Sequence, residues 1–552
     1  MESEITQIEL DRTDEEKETN KAIKSNKVEP ESRETASRDP TTSVAITKTW
    51  RVFVGSSTLH GLQYVFTSRT LVRRILWALF LVAAIVWFSF QSSKLLRKYF
   101  SHPVTTKVSL VYEGSPEFPA VSICNFNRFK RSVIMAKGYD QLLNQYERKV
   151  FGLNTENYTV DFGEHHNFNF TEFDWLAGHQ INDTLQGCVW SGTFCDYRNF
   201  TPVLTSMGLC HTFNSGRSAS RNFLDQYSVR NCMNYINETF LYWLDGQAKV
   251  NIYSVLCFVY CQGKIVNETT KHRNGKDGES ILKVRQAGSA FGLQVTLNVH
   301  RQEYYGVTSS QTGFKILIHH QGTPPMVSQL GFAVGPGTST FAAIRKQRVL
   351  NLPNPYESNC FNETFSIIPG YPKYTIPSCM LICQTKFVIE KCGCREAGMP
   401  DLNNTKVCDI NEAADCLVKE KNNFYMLKDY QCDCPVPCDS ITFKPALSYA
   451  AFPSSSLVSS VVKNLYPPNS PMITPEVIKG AEEYMSQNNV QLHIYFQELN
   501  YQLIQEIPAY DSESLLGEIG GQVGLCVGAS LLTVLEFIDV IFSMIKIRLG
   551  FR

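Results

Sequence analysis

The stretch that most limits what this chain can become is its last apolar run, Glu513 to Arg552. From Ile519 to Leu535 it has no formal charge, and apolar sequence continues to Ile545 with charge only at Glu536 and Asp539. Roughly 20 apolar residues cross a bilayer, so the run is expected to be a transmembrane helix. A helix facing only lipid has no use for Gln522, Ser530, Thr533, Glu536 and Asp539. An acid at the bilayer centre costs about 2.5–3.5 kcal/mol on insertion scales, so intramembrane acids face protein or water. At about 100° per residue, Gln522, Thr533, Glu536 and Asp539 share one arc, beside a stripe of Gly517, Gly521, Gly524 and Gly528. Small residues also allow close helix packing, which accounts for the stripe alone. The polar arc fits a water-filled pore.

The order Gly517-Glu518-Ile519-Gly520-Gly521-Gln522, Gly528-Ala529-Ser530, Leu535-Glu536 resembles the second transmembrane helix of degenerin/epithelial sodium channels. The likeness is strongest to the acid-sensing and FMRFamide (peptide)-gated branches. Further stretches extend it: Phe118 to Asn127, Gly208 to Asn214, and Pro324 to Gly337. Together they cover residues of about 50 to 545, nearly the whole chain.

Of 552 residues, 52 are basic and 52 acidic, a balance that argues against nucleic acid as a partner. Seventeen of the 18 cysteines lie between Cys124 and Cys438, Cys526 being the exception. The same interval holds eight glycosylation sequons, at Asn157, Asn169, Asn182, Asn199, Asn237, Asn267, Asn362 and Asn403. Cysteines and sequons confined to one interval point to an oxidising, glycosylating compartment for the middle of the chain. Pro202, just after Asn199-Phe200-Thr201, weakens that one sequon. No apolar signal core precedes residue 70, so the first span is expected to start translocation itself.

Residues 1–48 lack aromatic residues and are rich in Glu, Lys, Thr and Ser, the composition of a disordered cytosolic tail. Residues 49–69 contain Ser57-Thr58-Leu59-His60-Gly61. By itself that is a small-residue turn; the resemblance makes His60 and Gly61 a gating element. Residues 70–96, centred on Ile75 to Phe90, are expected to form transmembrane helix 1. Basic residues flank both of its ends, so the sequons orient it: residues 97–512 outside, both termini cytosolic, in the plasma membrane. Residues 513–545 then form transmembrane helix 2 and the pore, and 546–552 a short cytosolic tail.

Runs such as Phe118 to Cys124, Leu293 to Val299 and Phe314 to Ile318 predict β-strands in the ectodomain. Cys379 to Cys438 holds nine cysteines. Cys-x-Cys pairs invite a zinc site, against which stand the absence of histidine and the one-residue gaps. The resemblance instead implies a disulfide-laddered thumb over 379–438, with pairs Cys360–Cys438, Cys379–Cys434, Cys383–Cys432, Cys392–Cys416 and Cys394–Cys408. Cys124–Cys210 and Cys188–Cys195 follow likewise, and Cys232, Cys257 and Cys261 stay unassigned. The implied fold class is an α+β membrane protein: two transmembrane helices and a hand-like, disulfide-rich ectodomain with a β-core. The resemblance also implies assembly as a homotrimer, or a heterotrimer with related subunits, in the lipid bilayer.

Selecting sodium needs hard oxygen ligands where the ion gives up part of its water. The resemblance makes Gly528, Ala529 and Ser530 the selectivity filter, with Glu518, Glu536 and Asp539 as acids that concentrate cations. Ser530 has another use, bonding back to its own helix. A non-conducting adhesion or receptor protein would account for cysteines and glycans but not for intramembrane acids. No Gly-x-Ser-x-Gly elbow, His-Glu-x-x-His or phosphate loop appears, so the chain is not expected to be an enzyme, and no cofactor or metal is implied.

Two openers compete. In acid-sensing relatives crowded carboxylates respond to protons. Here the corresponding positions read Val418, Asn422, Gln302 and Gln502, with only Glu303 retained. Histidines such as His102, His165, His166 and His211 remain as proton-responsive groups. The expected opener is therefore a short amidated, FMRFamide-like peptide, with proton gating as the alternative. A cationic, aromatic peptide needs carboxylates beside aromatic faces. Phe168, Phe170, Glu172, Phe173, Asp174 and Trp175 are candidates, with an ordinary packed segment as the competing use. Leu499-Asn500 resembles the turn of the family's desensitisation linker, and amiloride block is implied by family alone.

Overall fold

The computed structural model describes residues 40–57, 59, 61–150, 168–216, 281–306, 310–361, 368–426, 432–465 and 473–549. The chain divides into two compact units, one of Met1–Arg97 with Glu513–Arg552, the other of Lys98–Ser512.

In the first unit, α1 (Pro40–Ser56), α2 (Leu62–Thr67) and α3 (Leu71–Phe100) precede α11 (Ser512–Val527) and α12 (Leu531–Arg548). Residues 40–48, expected in the disordered tail, are the opening turns of α1. Their exposed and half-buried residues Val44, Ala45 and Ile46 lead into the helix turns that carry Trp50 and Phe53. Phe53 and Val54 are buried, and the Phe53 ring meets Phe537 of α12 edge-on at 4.8 Å. Among the described residues α3 is the one helix long and apolar enough to cross a membrane.

The second unit is built on two sheets. The larger runs β11 (Asp439–Ala451), β10 (Thr338–Leu350), β12 (Asn489–Pro508), β7 (Leu293–Asn298), β3 (Leu185–Trp190), β4 (Thr193–Phe194), with β1 (Val104–Tyr112) also on β12. Its β10–β12 pairing is parallel; its other pairings are antiparallel. The smaller sheet runs β5 (Phe200–Thr205), β6 (Gly208–Phe213), β2 (Ala120–Asn125), β8 (Phe314–His319), β9 (Phe332–Val334). All six residues of β2, a central strand, are buried. β7 alternates buried and half-buried positions, as a strand with one core face must. Phe118, Ile123, Val295, Ile316, Ile344, Leu492 and Phe496 belong to the shared core, at about 25 cal/mol per Å² of apolar area removed from water.

A second core joins α4 (Arg131–Lys137), α5 (Asp140–Val150) and α6 (Phe170–Ala177) to the thumb helices α7 (Ile376–Cys392) and α8 (Val418–Met426). Thr375 caps α7, with Ser378 returning the bond, and Gly393 ends it in the left-handed region at φ +69°. Cys379 and Cys383 stand four apart on α7, about 6 Å along its axis. Cys432 and Cys434, two apart on an extended segment, are spaced by about the same length. The rungs Cys379–Cys434 and Cys383–Cys432 join these two spacings in order. The bridges Cys360–Cys438, Cys392–Cys416, Cys394–Cys408, Cys124–Cys210 and Cys188–Cys195 complete the seven pairs implied by the resemblance. With their sulfurs joined to each other, Cys394 and Cys408 offer no thiolate to a metal. Helices α9 (Ser455–Leu465) and α10 (Pro475–Asn488) pack on each other through Val458, Val462 and Ala481.

Candidate functional site: an interrupted helix at Gly528–Ser530

The run after Glu513 is not one helix. α11 stops at Val527, Gly528 turns to φ +66°, and α12 restarts at Leu531. The Gly528 N–H still donates to the Gly524 carbonyl at 3.0 Å, closing the last turn. Ser530 is the N-cap of α12: its N–H donates to Thr533 Oγ1 at 3.0 Å, and its Oγ accepts the Thr533 N–H at 3.4 Å. Glycine reaches the left-handed region without a Cβ penalty and serine competes for backbone bonds, so this tripeptide is a built-in stop and start. The single-helix expectation is thus corrected. Ser530 does bond to its own helix, and a helical arc counted through residues 528–530 loses its meaning.

Gln522 and Glu518 belong to α11, while Thr533, Glu536 and Asp539 belong to α12. Thr533 is buried and holds the cap; Asp539 is exposed and Glu536 half-buried. The last carbonyls of a helix have no intrahelical partner, so the end of α11 presents oxygens at the interruption.

Around Gly61 the backbone is left-handed at φ +91°, and α2 begins at the next residue. An added Cβ there would stand 3.6 Å from the Trp77 ring, which stacks on Tyr64 at 4.8 Å. His60 lies outside the described residues.

Leu499 and Asn500 form no turn. They lie within β12, where Asn500 pairs Tyr112 and the Leu499 carbonyl accepts the Glu113 N–H at 3.0 Å. The β10–β12 register jumps here: Ile344 faces Phe496, whereas Lys346 faces Tyr501. The extra β12 residues, 497–500, are taken up as an irregularity in the β10 pairing, and β1 pairs β12 from Asn500 onward.

The aromatic candidate is core. Phe168, Phe170 and Phe173 are buried, with Phe168 centroids 5.0 and 5.1 Å from the other two. Asp174 is 1% exposed and binds Arg128 through both oxygens at 2.6–2.7 Å. These four side chains face inward because the helix turns its 170, 173 and 174 positions onto the second core, so a peptide does not reach them. Glu172 is exposed and Trp175 half-buried on the other face.

Of the sequons, Asn169, Asn182, Asn199 and Asn403 are exposed, and Asn157, Asn237, Asn267 and Asn362 lie outside the described residues. Asn169 caps α6 through Oδ1, leaving Nδ2 clear of that bond. Cys232, Cys257 and Cys261 are likewise outside, as are His165 and His166.

Val418 and Asn422 lie on α8, and Gln502 lies on β12 opposite Leu110. Glu303 accepts the Ser132 N–H at 2.8 Å. Burial pushes His211 down to about 3, which removes it as a sensor of mild acid. Burial, aided by the Lys130 charge, does the same to His179, and burial lowers His319 to about 4. His300, His320 and His493 are also lowered, chiefly by burial. The ion contacts Arg128–Asp174, Arg128–Glu396 and Lys421–Glu396 had no sequence signal, because their residues are far apart in the chain.

A family model described as Amiloride-sensitive sodium channel matches residues 53–540. The chain belongs to that family. Acid-sensing ion channel 2 of Rattus norvegicus is 28% identical over 527 residues, covering 90% of this chain and 87% of its own. Acid-sensing ion channel 1 of Gallus gallus is 29% identical over 527 residues, with 90% and 84% covered. Acid-sensing ion channel 1C of Danio rerio is 29% identical over 525 residues. The amiloride-sensitive sodium channel family makes this chain a sodium channel, and the matched span contains both the Gly528–Ser530 interruption and all seven bridges.

Proposed function

We propose that the chain is a subunit of a plasma-membrane, sodium-selective channel opened by an extracellular ligand, a short amidated peptide, and blocked by amiloride. The carrying observation is the interrupted helix. Irregular backbone at membrane depth is tolerated only where protein covers it or it lines a water-filled path. Gly528, Ala529 and Ser530 set the sodium preference through carbonyl oxygens at that break, and Glu518, Glu536 and Asp539 concentrate cations along the path. In this reading α3 and α11–α12 are the two spans, with residues 97–512 outside and both termini in the cytosol. Three subunits, identical or related, surround the pore. His60 and Gly61 line its inner side, and the β12 bulge at Leu499–Asn500 takes part in closing it.

Peptide opening is supported by the neutral side chains Val418, Asn422, Gln302 and Gln502, none of which titrates near neutrality. The buried histidines, held uncharged, add to that support. The second reading, opening by protons, is favoured by the relatives named acid-sensing ion channels. Both are decided by expressing the chain alone and recording current during acid steps and during a broad amidated peptide panel. Current from peptide with little from a step to about pH 6 is the expected result. A steep acid current without peptide, or silence to every peptide, overturns peptide opening.

A further inference from the structure

Arg128, between β2 and α4, has an unusual setting. Its guanidinium binds Asp174 of α6 through Nε at 2.7 Å and Nη2 at 2.6 Å. Its Nη1 stands 3.9 Å from Glu396 Oε1, in the loop after thumb helix α7. The other oxygen of Glu396 accepts from Lys421 of α8 at 2.6 Å. Signs alternate along this chain, and its carboxylates are 1% and 11% exposed.

Two glycines bring the parts together. A Cβ on Gly208, at φ +85° where β6 leaves the β5–β6 turn, would fall 2.7 Å from Arg128 Cγ, so the arginine stem lies directly beside that turn. A Cβ on Gly398 would fall 2.4 Å from the Thr205 carbonyl carbon, so the thumb loop rests against the same turn.

We propose that the Arg128–Glu396 contact is a two-position joint that passes displacement of α6 to the thumb. It rests on the reading that an extracellular ligand opens the channel, whichever ligand that is. The outer pairs are tight and each stays on its own side, while the middle contact is long. Parting the joint therefore leaves Asp174 with Arg128 and Glu396 with Lys421, and no buried charge is stranded, which would be strongly destabilising. A contact with two satisfied arrangements is what coupling between sites requires. Arg128 and Glu396 are positioning residues: they act through α6 and the thumb helices they hold.

The test is hydrogen exchange on the full chain in lipid nanodiscs, without agonist, comparing wild type with Glu396→Gln, Glu396→Asp and Lys421→Gln. Glu396→Gln should speed exchange severalfold in α8, which loses its charge-assisted bond to Lys421, and measurably, by about twofold, in α6, which loses only the longer attraction to Arg128. Glu396→Asp, which keeps the charge one methylene further back, should leave α6 closer to wild type than Glu396→Gln does. Lys421→Gln, which frees Glu396 to close on Arg128, should speed exchange in α8 and leave α6 protected. Unchanged α6 exchange in Glu396→Gln overturns the joint, whether or not α8 changes. So does loss of α6 protection in Lys421→Gln. No current is measured, so this outcome is independent of whether peptides open the channel.

Discussion

Gly528→Ala is the sharpest perturbation of the proposed filter. At φ +66° an L-residue with a Cβ costs roughly 1–2 kcal/mol. In a continuous helix alanine is better than glycine by about 1 kcal/mol. The two effects have the same sign and bias residues 526–531 towards an uninterrupted helix by about 2–3 kcal/mol in each subunit. At about 1.4 kcal/mol per tenfold, the interruption becomes roughly 30- to 150-fold less favoured. Ser530→Ala removes only the cap of α12, about 1 kcal/mol or fivefold. Ser530→Thr keeps an Oγ for the Thr533 N–H and should be nearly neutral to the break. The expected order of damage is therefore Gly528→Ala, then Ser530→Ala, then Ser530→Thr. The assay is reversal potential in mixed sodium and potassium solutions, with surface labelling to normalise expression. Gly528→Ala at normal surface density, with unchanged current and reversal potential, would refute the link between this break and ion choice.

Peptide mapping without reduction should recover Cys379 linked to Cys434 and Cys383 linked to Cys432, and free thiols at these positions would defeat the ladder. Asp174→Asn should lower stability by about 1.5–3 kcal/mol, because it takes the charge from the hydrogen-bonded partner of Arg128; an unchanged thermal midpoint would count against a structural role for Asp174. Acid should also weaken the fold through His179 and His211. Their unfolded value is near 6.5 and their folded values are about 3, so below pH ~6.5 the unfolded chain binds protons that the folded chain refuses. Stability is full above ~6.5 and falls with acid, by up to ~1.4 kcal/mol per pH unit for each imidazole. A thermal midpoint of the full chain that stays flat or rises from pH 6.5 to 5 would contradict this.

Several elements were legible because their signal is local. β7 follows from alternation in Leu293–Leu297, β8 from the apolar run Phe314–Ile318, and α3 from its uninterrupted apolar run. The cysteine pairs were legible through family resemblance, and the rung spacing explains why that pairing fits. The break at Gly528–Ser530 was half legible. Glycine and serine were recognised as special there, yet apolar continuity suggested an unbroken helix.

What the sequence determined by itself was whatever depends on composition and short-range order: the apolar runs, the cysteine-rich middle and the glycine–serine motif. Tertiary structure decided which faces are available. Phe168, Phe170, Phe173 and Asp174 make a persuasive ligand motif on paper, but packing turns them inward against Arg128 and the thumb. Leu499 and Asn500 suggest a turn, but a β1 neighbour nearly 400 residues earlier makes them strand, Asn500 pairing with Tyr112. The physical reason is the same in both cases. Burial and strand pairing are settled by contacts between segments far apart in the chain, and a local pattern holds no record of which partner arrives.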